Sequence, residues 1–267
     1  YAAINGDPKL IDALLSQRAD PNDFVRKLNG KAGLPMWSDA VGICAFFGNN
    51  DAMCRLLAAG AKVNGPMPAL GGAASGDNAK GVQILCQYSS PHIRNVIGYT
   101  ALESGCSCGS THAIQELLAH ATPQMLTGTL VATAVGAGSV KLIELLLQAR
   151  ADINEQYLPP SRLASMAMYV QAVQYRLGRR TGAHTFAYHA RGSTPLMTAV
   201  LVGHYEAASA LIAAGARVDL RNARNRTVID LAYELSVPEF LLEALEGSAE
   251  ECKKVVSLAR ANIDIEL

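Results

Sequence analysis

A block of about twenty residues recurs along this chain. In residues 1–22, 45–64 and 134–154, a glycine is followed sixteen residues later by an asparagine, with a double leucine between them. The same interval separates Gly203 from Asp219. Weaker copies occupy residues 71–90, 98–120 and 225–247. A repeated interval of this kind indicates an architecture in which one short structural unit is stacked several times.

The best-formed copy, residues 191–219, predicts two short helices joined by a turn. Thr194 is suited to cap the first helix by accepting hydrogen bonds from its free amides, and Pro195 fits the first turn, which can spare a donor. Gly203 is expected to end this helix. The second helix is predicted from about Tyr205 to Ala213, with Gly215 as the left-handed residue after it. Leu211, and Leu145 in an earlier copy, are predicted to face the core.

Two stretches carry a recognisable motif. The segment GSTPLMTA (192–199) resembles the T-P-L-H-x-A pattern of the ankyrin repeat, with Met197 in place of the histidine. The segment GYTALESG (98–105) is similar, with Ala101 in place of the proline and Glu103 in place of the histidine. The resemblance implies an all-α fold, an α-solenoid of about seven helix–turn–helix units, because one unit cannot bury its apolar face alone.

One interruption breaks the spacing of the repeats. The fifth and sixth marker positions, Gly138 and Gly203, are 65 residues apart, about 32 more than a unit requires. We therefore expect repeats one to five in 1–154, a helical insertion in 155–190, repeats six and seven in 191–247, and a C-terminal cap in 248–267. The cap is predicted to hold a helix at 249–261. The acidic run at 239–251 is expected to be a solvated capping face, with an acidic partner site as the alternative.

The insertion is predicted to contain one helix, capped by Ser161 and running to about Leu177. Apolar residues recur along it at steps of three and four, so they share one face. We expect this face to pack back on the repeats, with partner contact as the alternative. The residues of the face are Leu163, Met166, Val170, Val173 and Leu177.

The insertion is also rich in arginine and aromatic residues. Residues 155–191 contain five arginines and a single acidic residue, Glu155, in a protein whose 23 basic and 23 acidic residues balance. Arginine and tyrosine together suit a carboxylate-rich or phosphate-bearing partner. A neutral chain with so small a basic patch does not favour nucleic acid. A solvated, loosely ordered insertion is the alternative. The residues concerned are Arg162, Arg176, Arg179, Arg180 and Arg191, with Tyr157, Tyr169, Tyr175, Phe186 and Tyr188.

The resemblance also carries functional expectations. Ankyrin arrays bind other proteins through their turn tips and first helices and in general catalyse nothing. We expect a non-catalytic interaction scaffold or adaptor, or a subunit of a larger assembly. The alternatives are the targeting or substrate-recruiting part of a longer multidomain enzyme, and a passive spacer. The expected partner-binding residues are Tyr99, Arg176, Arg179, Arg180, Tyr188, Arg191, Leu201 and Arg226.

No catalytic, metal or cofactor site is expected. The segment CSCGSTH (106–112) places Cys106 on a packed helix face and Cys108 on the opposite side, so they cannot converge with His112 on a metal. The sequence has no nucleotide-binding or hydrolase motif and no apolar run long enough to span a membrane. Six irregularly spaced cysteines favour a reducing intracellular compartment such as the cytoplasm. The start at Tyr1, without methionine, favours a processed or partial chain.

Asn154 is a further candidate, for modification. A leucine six residues before Asp152 resembles the context used by asparagine hydroxylases that act on ankyrin repeats. The simpler expectation is that Asn154 closes the turn at the end of its repeat.

Overall fold

A computed structural model describes residues 2–23, 39–247 and 257 of the chain. Within these ranges the protein forms sixteen α-helices and one short 3-10 helix, with no β-strand. Its contacts divide the chain into two compact units, residues 1–121 and 122–267.

The first unit contains four helix pairs, one for each of the first four predicted repeats. They are α1 (Ala2–Asn5) with α2 (Pro8–Ser16), α3 (Ala40–Phe46) with α4 (Asn50–Ala58), α5 (Ala69–Ser75) with α6 (Ala79–Leu85), and α7 (Ala101–Cys108) with α8 (Thr111–Leu118). The first helices pack in the order α1, α3, α5, α7, and α2 packs on α4 as α6 packs on α8. Each pair therefore buries its apolar face against the next pair.

The second unit contains three helix pairs and the two helices of the insertion. After a 3-10 turn at Pro123–Leu126 come α9 (Thr129–Val135) and α10 (Val140–Gln148), then α11 (Arg162–Arg176) and α12 (Gly182–His189) in the insertion, then α13 (Pro195–Val202) with α14 (Tyr205–Ala213), and α15 (Val228–Leu235) with α16 (Glu239–Leu245). Helix α9 packs directly on α13, and α10 on α14. The stack therefore continues from repeat five to repeat six, and the insertion branches from it.

Helices α13 and α14 confirm the prediction from the best-formed repeat. The Thr194 hydroxyl accepts a hydrogen bond from the Met197 amide at 3.2 Å, and Pro195 is the first helical residue. Gly203 ends the helix with φ of 84°, a left-handed conformation that glycine adopts without steric cost. Gly215, after α14, has φ of 88°. Local capping chemistry therefore sets both helix boundaries.

Neighbouring repeats are joined by a polar side chain that follows the marker glycine. His204 Nδ1 lies 2.9 Å from the carbonyl oxygen of Ala134, and Asn49 Nδ2 donates to the carbonyl oxygen of Ala3 at 2.8 Å. Because a carbonyl only accepts, His204 must carry its proton on Nδ1. These bonds satisfy carbonyl groups at the end of a first helix that have no partner within that helix.

The asparagine at the end of the recurring block forms a second link between repeats. Asn22 Oδ1 accepts a hydrogen bond from the Lys62 amide at 2.7 Å, and Asn154 Oδ1 accepts one from the Arg217 amide at 2.8 Å. Asn154 thus ties the turn of repeat five to that of repeat six. The modification of Asn154 stays a prediction.

Two expectations need correction or lie outside the structure, and one glycine of the repeats has an unexpected role. Gly76 has φ of −88°, and Asp77 after it takes the left-handed conformation with φ of 52°. A Cβ atom on Gly76 would lie 1.9 Å from the carbonyl oxygen of Phe46, so glycine is needed there for close packing. Leu145 is only partly buried, because its neighbour Leu146 faces the core. Apart from residue 257, the predicted C-terminal helix lies outside the described residues.

Candidate interaction surface

The insertion folds into a helical hairpin. The Ser161 side chain caps α11 by accepting from the Ala164 amide at 3.1 Å, and the helix ends before Leu177, both as predicted. The second helix, α12, was not predicted. Its buried positions hold Thr185 and His189, polar residues that hide its apolar periodicity. The Thr181 cap before it was the one local signal in the sequence.

The two ends of the insertion meet at a pair of backbone hydrogen bonds. The Tyr157 amide donates to the Ser193 carbonyl at 2.9 Å, and the Gly192 amide donates to the Tyr157 carbonyl at 2.8 Å. Above this base, Met168 and Phe186 pack with Tyr157 against Val131 of α9. These contacts pack the base of the hairpin against the second unit.

The apolar face predicted on α11 is not the face that packs. The less exposed side of α11 carries Ala164, Met168 and Tyr175, which recur at steps of four and seven. Met168 packs with Phe186 of α12, and Tyr175 packs on Tyr188 and His189 of the same helix. Of the predicted stripe only Val173 is partly buried, so the expectation that the stripe packs on the repeats is wrong for its other four residues. The outward residues and their exposed fractions are Leu163 at 53%, Met166 at 68%, Tyr169 at 70%, Val170 at 55% and Leu177 at 79%.

Arginine and tyrosine side chains form a layered assembly where α11, α12 and the tip of repeat seven meet. The rings of Tyr175 and Tyr188 are stacked, with centroids 4.5 Å apart. The Arg224 guanidinium lies over the Tyr188 ring at 3.5 Å, and Arg180 lies over the Tyr175 ring at 5.2 Å. Arg176 lies 5.7 Å from the Tyr188 centroid. Cation–π attraction and stacking hold these exposed guanidinium groups in place.

His189 is buried beneath this assembly, with the ring of Tyr188 edge-on at 4.9 Å. Burial lowers the pKa of His189 below its usual 6.5, and the charges of Arg224 and Arg226 lower it further, against an opposing effect of Glu234. Its Nδ1 atom has no hydrogen-bond partner within the described part of the chain. A neutral imidazole therefore supports the stacked tyrosines from below.

The structure brings several of the predicted contact residues together in the second unit. Arg176, Arg180 and Tyr188 belong to the assembly, and Arg224, which the sequence analysis did not single out, completes it. Its signal was the arginine-rich tip of repeat seven, residues 217–226.

Three further arginines that were predicted to contact a partner lie close in sequence to residues of the assembly. Arg179, Arg191 and Arg226 are exposed, and no ion pair involves them in the described ranges. Arg217, by contrast, is paired with Asp219 at 2.6 Å. The unpaired arginines keep their charge available to a partner.

Leu201 is a correction. It is 4% exposed, because α13 is enclosed by α9, α12 and α15, so every residue from Pro195 to Leu201 is buried. Leu201 therefore contributes to the core and offers no contact surface.

Tyr99 belongs to the first unit. It is half-buried and lines a groove of about 650 Å³ that is open to solvent. The Asn95 side chain accepts from the Tyr99 amide at 3.0 Å and fixes the loop that carries it. The groove is bounded by Ile43, Phe46, Leu70 and Ile93.

The insertion is rich in positive charge, although the Glu234 side chain of α15 hydrogen-bonds Tyr175 of the assembly. Residues 156–205 contain five arginines and no aspartate or glutamate. Such a stretch in a chain with no net charge makes a local positive surface, which attracts negative groups by a field that salt screens.

The candidate metal or dyad residues in the first unit do not converge. Cys106 is fully buried, Cys108 is exposed, and His112 Nδ1 pairs with Asp77 at 2.7 Å. Among the residues that the structure describes, no three His, Cys, Asp or Glu side chains are placed to hold a metal ion. Burial, with a smaller effect of Asp39, raises the pKa of the Cys44 thiol to about 12, so it stays protonated at neutral pH.

Comparison with known proteins agrees with this architecture. Residues 191–223 match the family model of the ankyrin repeat. The ankyrin repeat domain of human ASB11 superposes with a TM-score of 0.60 at 19% identity, over 92% of this chain and 94% of that one. The ankyrin repeat domain of Bcl-3, of the IκB family, gives a TM-score of 0.57 at 18% identity, over 92% and 96%. A search of curated protein sequences found no match.

These comparisons define the class of the molecule. Its fold is that of an ankyrin-repeat domain, and its sixth repeat matches the ankyrin repeat by sequence. In the described ranges, none of its helices has the length and apolar character needed to cross a bilayer.

Proposed function

We propose that this chain is a non-catalytic protein–protein interaction scaffold, an adaptor or a subunit of a larger assembly, and that it binds an acidic or phosphorylated protein surface. Ankyrin repeat domains generally mediate such interactions. The free, exposed thiols of Cys54 and Cys108 support a reducing compartment for it. The same surface would serve the substrate-recruiting part of a longer enzyme.

The observation that carries the proposal is the assembly of Arg176, Arg180 and Arg224 on the stacked rings of Tyr175 and Tyr188. Guanidinium groups form paired hydrogen bonds to carboxylate and phosphate oxygens. Groups that already lie in fixed positions lose less side-chain entropy when a partner binds. Tyrosine and arginine are also the residue types that contribute most to interface energies.

The charge distribution supports a protein partner over nucleic acid. The whole chain has no net charge, and the arginines of the insertion and the neighbouring tip form a compact positive patch. Binding to a duplex depends on many phosphate contacts along the backbone, which such a compact patch does not supply. A short acidic segment of a protein matches the patch in size and charge.

The proposal is tested by replacing Arg176, Arg179 and Arg180 together with alanine. Binding to the protein captured with the chain from its native source should weaken about tenfold or more, and the loss should be larger at low salt. The helical circular dichroism and melting temperature should change little, because exposed charges contribute little to stability.

The matched control replaces Lys9, Lys62 and Lys80 of the first unit with alanine. These lysines are exposed, and their replacement removes the same amount of positive charge. Its binding should stay close to that of the unaltered chain. Normal binding by the arginine variant would move the contact to Tyr99 and Arg226. Unfolding of that variant would mean that the arginines belong to the stable core of the insertion.

A further inference from the structure

We propose that the outward face of α11 is a docking surface for an amphipathic helix of the partner protein. The apolar side of that helix would cover Leu163, Met166 and Val170, and its acidic side chains would meet the arginines at the ends of α11. This inference rests on the proposed function and adds the secondary structure and the chemistry of the partner segment that binds.

The exposed residues form one continuous strip along α11. Leu163, Met166, Val170 and Leu177 recur at steps of three, four and seven, so they lie on one side of the helix. From Leu163 to Leu177 the strip is about 21 Å long, at roughly 1.5 Å of rise per residue, which equals about four turns of a partner helix. Anchors at these steps are typical of a helix that binds in an apolar groove.

The strip is not needed for the fold of the hairpin. The opposite side of α11 already packs on α12 through Met168 and Tyr175. The exposed fractions, from 53% to 79%, correspond to an apolar surface on the order of 600 Å², at the upper end of what monomeric proteins show. One partner in a stable protein complex contributes about 800 Å². The strip thus supplies most of an interface once the arginines are added.

The charges around the strip select a partner of opposite sign. Arg162 lies at one end of α11, and Arg176 and Arg180 lie at the other, where tyrosine rings hold them. Residues 156–205 contain no carboxylate, and the nearby Glu234 carboxylate is hydrogen-bonded to Tyr175, so we expect the negative charge that matches these arginines to come from the partner. A second copy of this chain would bring arginine against arginine in a strip-to-strip contact and would be repelled.

The distribution of arginine also favours a protein helix over a membrane surface. Helices that lie on anionic lipid carry basic residues along the length of their polar face. Between Arg162 and Arg176, α11 has no basic residue, and its other face is buried. Arginines fixed at two ends match carboxylates at set positions on a folded helix.

The test uses the full chain and a designed peptide of about sixteen residues, roughly four helical turns, with leucines at steps of three and four and glutamates at both ends. Fluorescence anisotropy should show binding that is about tenfold or more tighter than that of the same peptide with lysines in place of glutamates. The substitutions Met166→Glu and Val170→Glu, made together, should abolish it. The control pair Tyr88→Glu and Val96→Glu, at exposed positions of the first unit, should bind normally.

Three results would overturn the inference. The first is equal binding of both peptides. The second is undiminished binding of the acidic peptide by the Met166→Glu/Val170→Glu variant. The third is that the unaltered chain binds phosphatidylserine vesicles more tightly than the acidic peptide and that the variant loses this vesicle binding. Melting curves of the variant exclude loss of folding as the cause of weak binding. If the variant captures the native partner normally while the triple arginine variant does not, this inference fails and the proposed function stands.

Discussion

The aromatic rings of Tyr175 and Tyr188 are stacked with their planes 22° from parallel, and this stack joins the two helices of the insertion. Tyr175 is the second-last residue of α11, and Tyr188 is the second-last residue of α12. The stack therefore orders the hairpin at the end where its arginines are concentrated.

Replacement of Tyr188 by alanine should lower the free energy of unfolding by about 1–3 kcal/mol, because it removes an aromatic pair and the cation–π contacts of two arginines. Tyr188→Phe keeps the stacked ring and should change the free energy of unfolding by much less. Urea unfolding followed by circular dichroism measures both. An alanine variant as stable as the phenylalanine variant would show that the stack does not hold the hairpin.

Three leucines test which side chains form the core of the second unit. Leu146 and Leu211 are fully buried, so each change to alanine should cost about 2–5 kcal/mol through the cavity that it leaves. Leu145→Ala should cost less, because Leu145 keeps part of its surface in solvent. Denaturant titration gives the three values. A cost at Leu145 equal to that at Leu146 would mean that the register of α10 is wrong.

The stability of the second unit should depend on pH through His189. Burial lowers the pKa of His189 in the folded protein, so the unfolded chain binds the proton more tightly. This contribution to stability is fully present above the usual pKa of 6.5 and is lost as the pH falls below it through the lowered value.

His189→Gln removes the titrating group and should make the melting temperature fall less steeply between about pH 7 and 5. Differential scanning calorimetry of both proteins measures the two slopes. The comparison is of slopes, so a general loss of stability in the variant does not disturb it. Parallel curves would show that His189 accepts its proton without cost in the folded state, with Glu234 compensating its burial.

The fold of the repeats could be predicted because its signals are local. Thr194, Pro195 and Gly203 each act within one helix, and their order fixes where α13 begins and ends. Helix α12 was not predicted, because Thr185 and His189 occupy its buried face and break the apolar pattern. Periodicity detects a buried helix only when its buried residues are apolar.

The candidate interaction surface could not be predicted in full, because it depends on contacts between residues that are distant in sequence. The spacing of Leu163, Met166 and Val170 shows correctly that they share a face, but spacing cannot say which face a neighbouring helix covers. That choice follows from Met168 and Tyr175 meeting the aromatic residues of α12. Likewise, Arg224 reaches Tyr188 across 36 positions of sequence, a separation that no repeat motif encodes.

The paired hydrogen bonds of Tyr157 with Gly192 and Ser193 make the insertion a unit that can be removed or transferred as a whole. The segments by which the chain enters and leaves the insertion are adjacent. Joining them directly therefore requires little change in the repeats on either side, where α9 and α13 already contact each other. Chain segments with neighbouring ends are the ones that proteins gain and lose most readily. By the same reasoning, the hairpin could be grafted between two repeats of another array, carrying its arginines and its apolar strip with it.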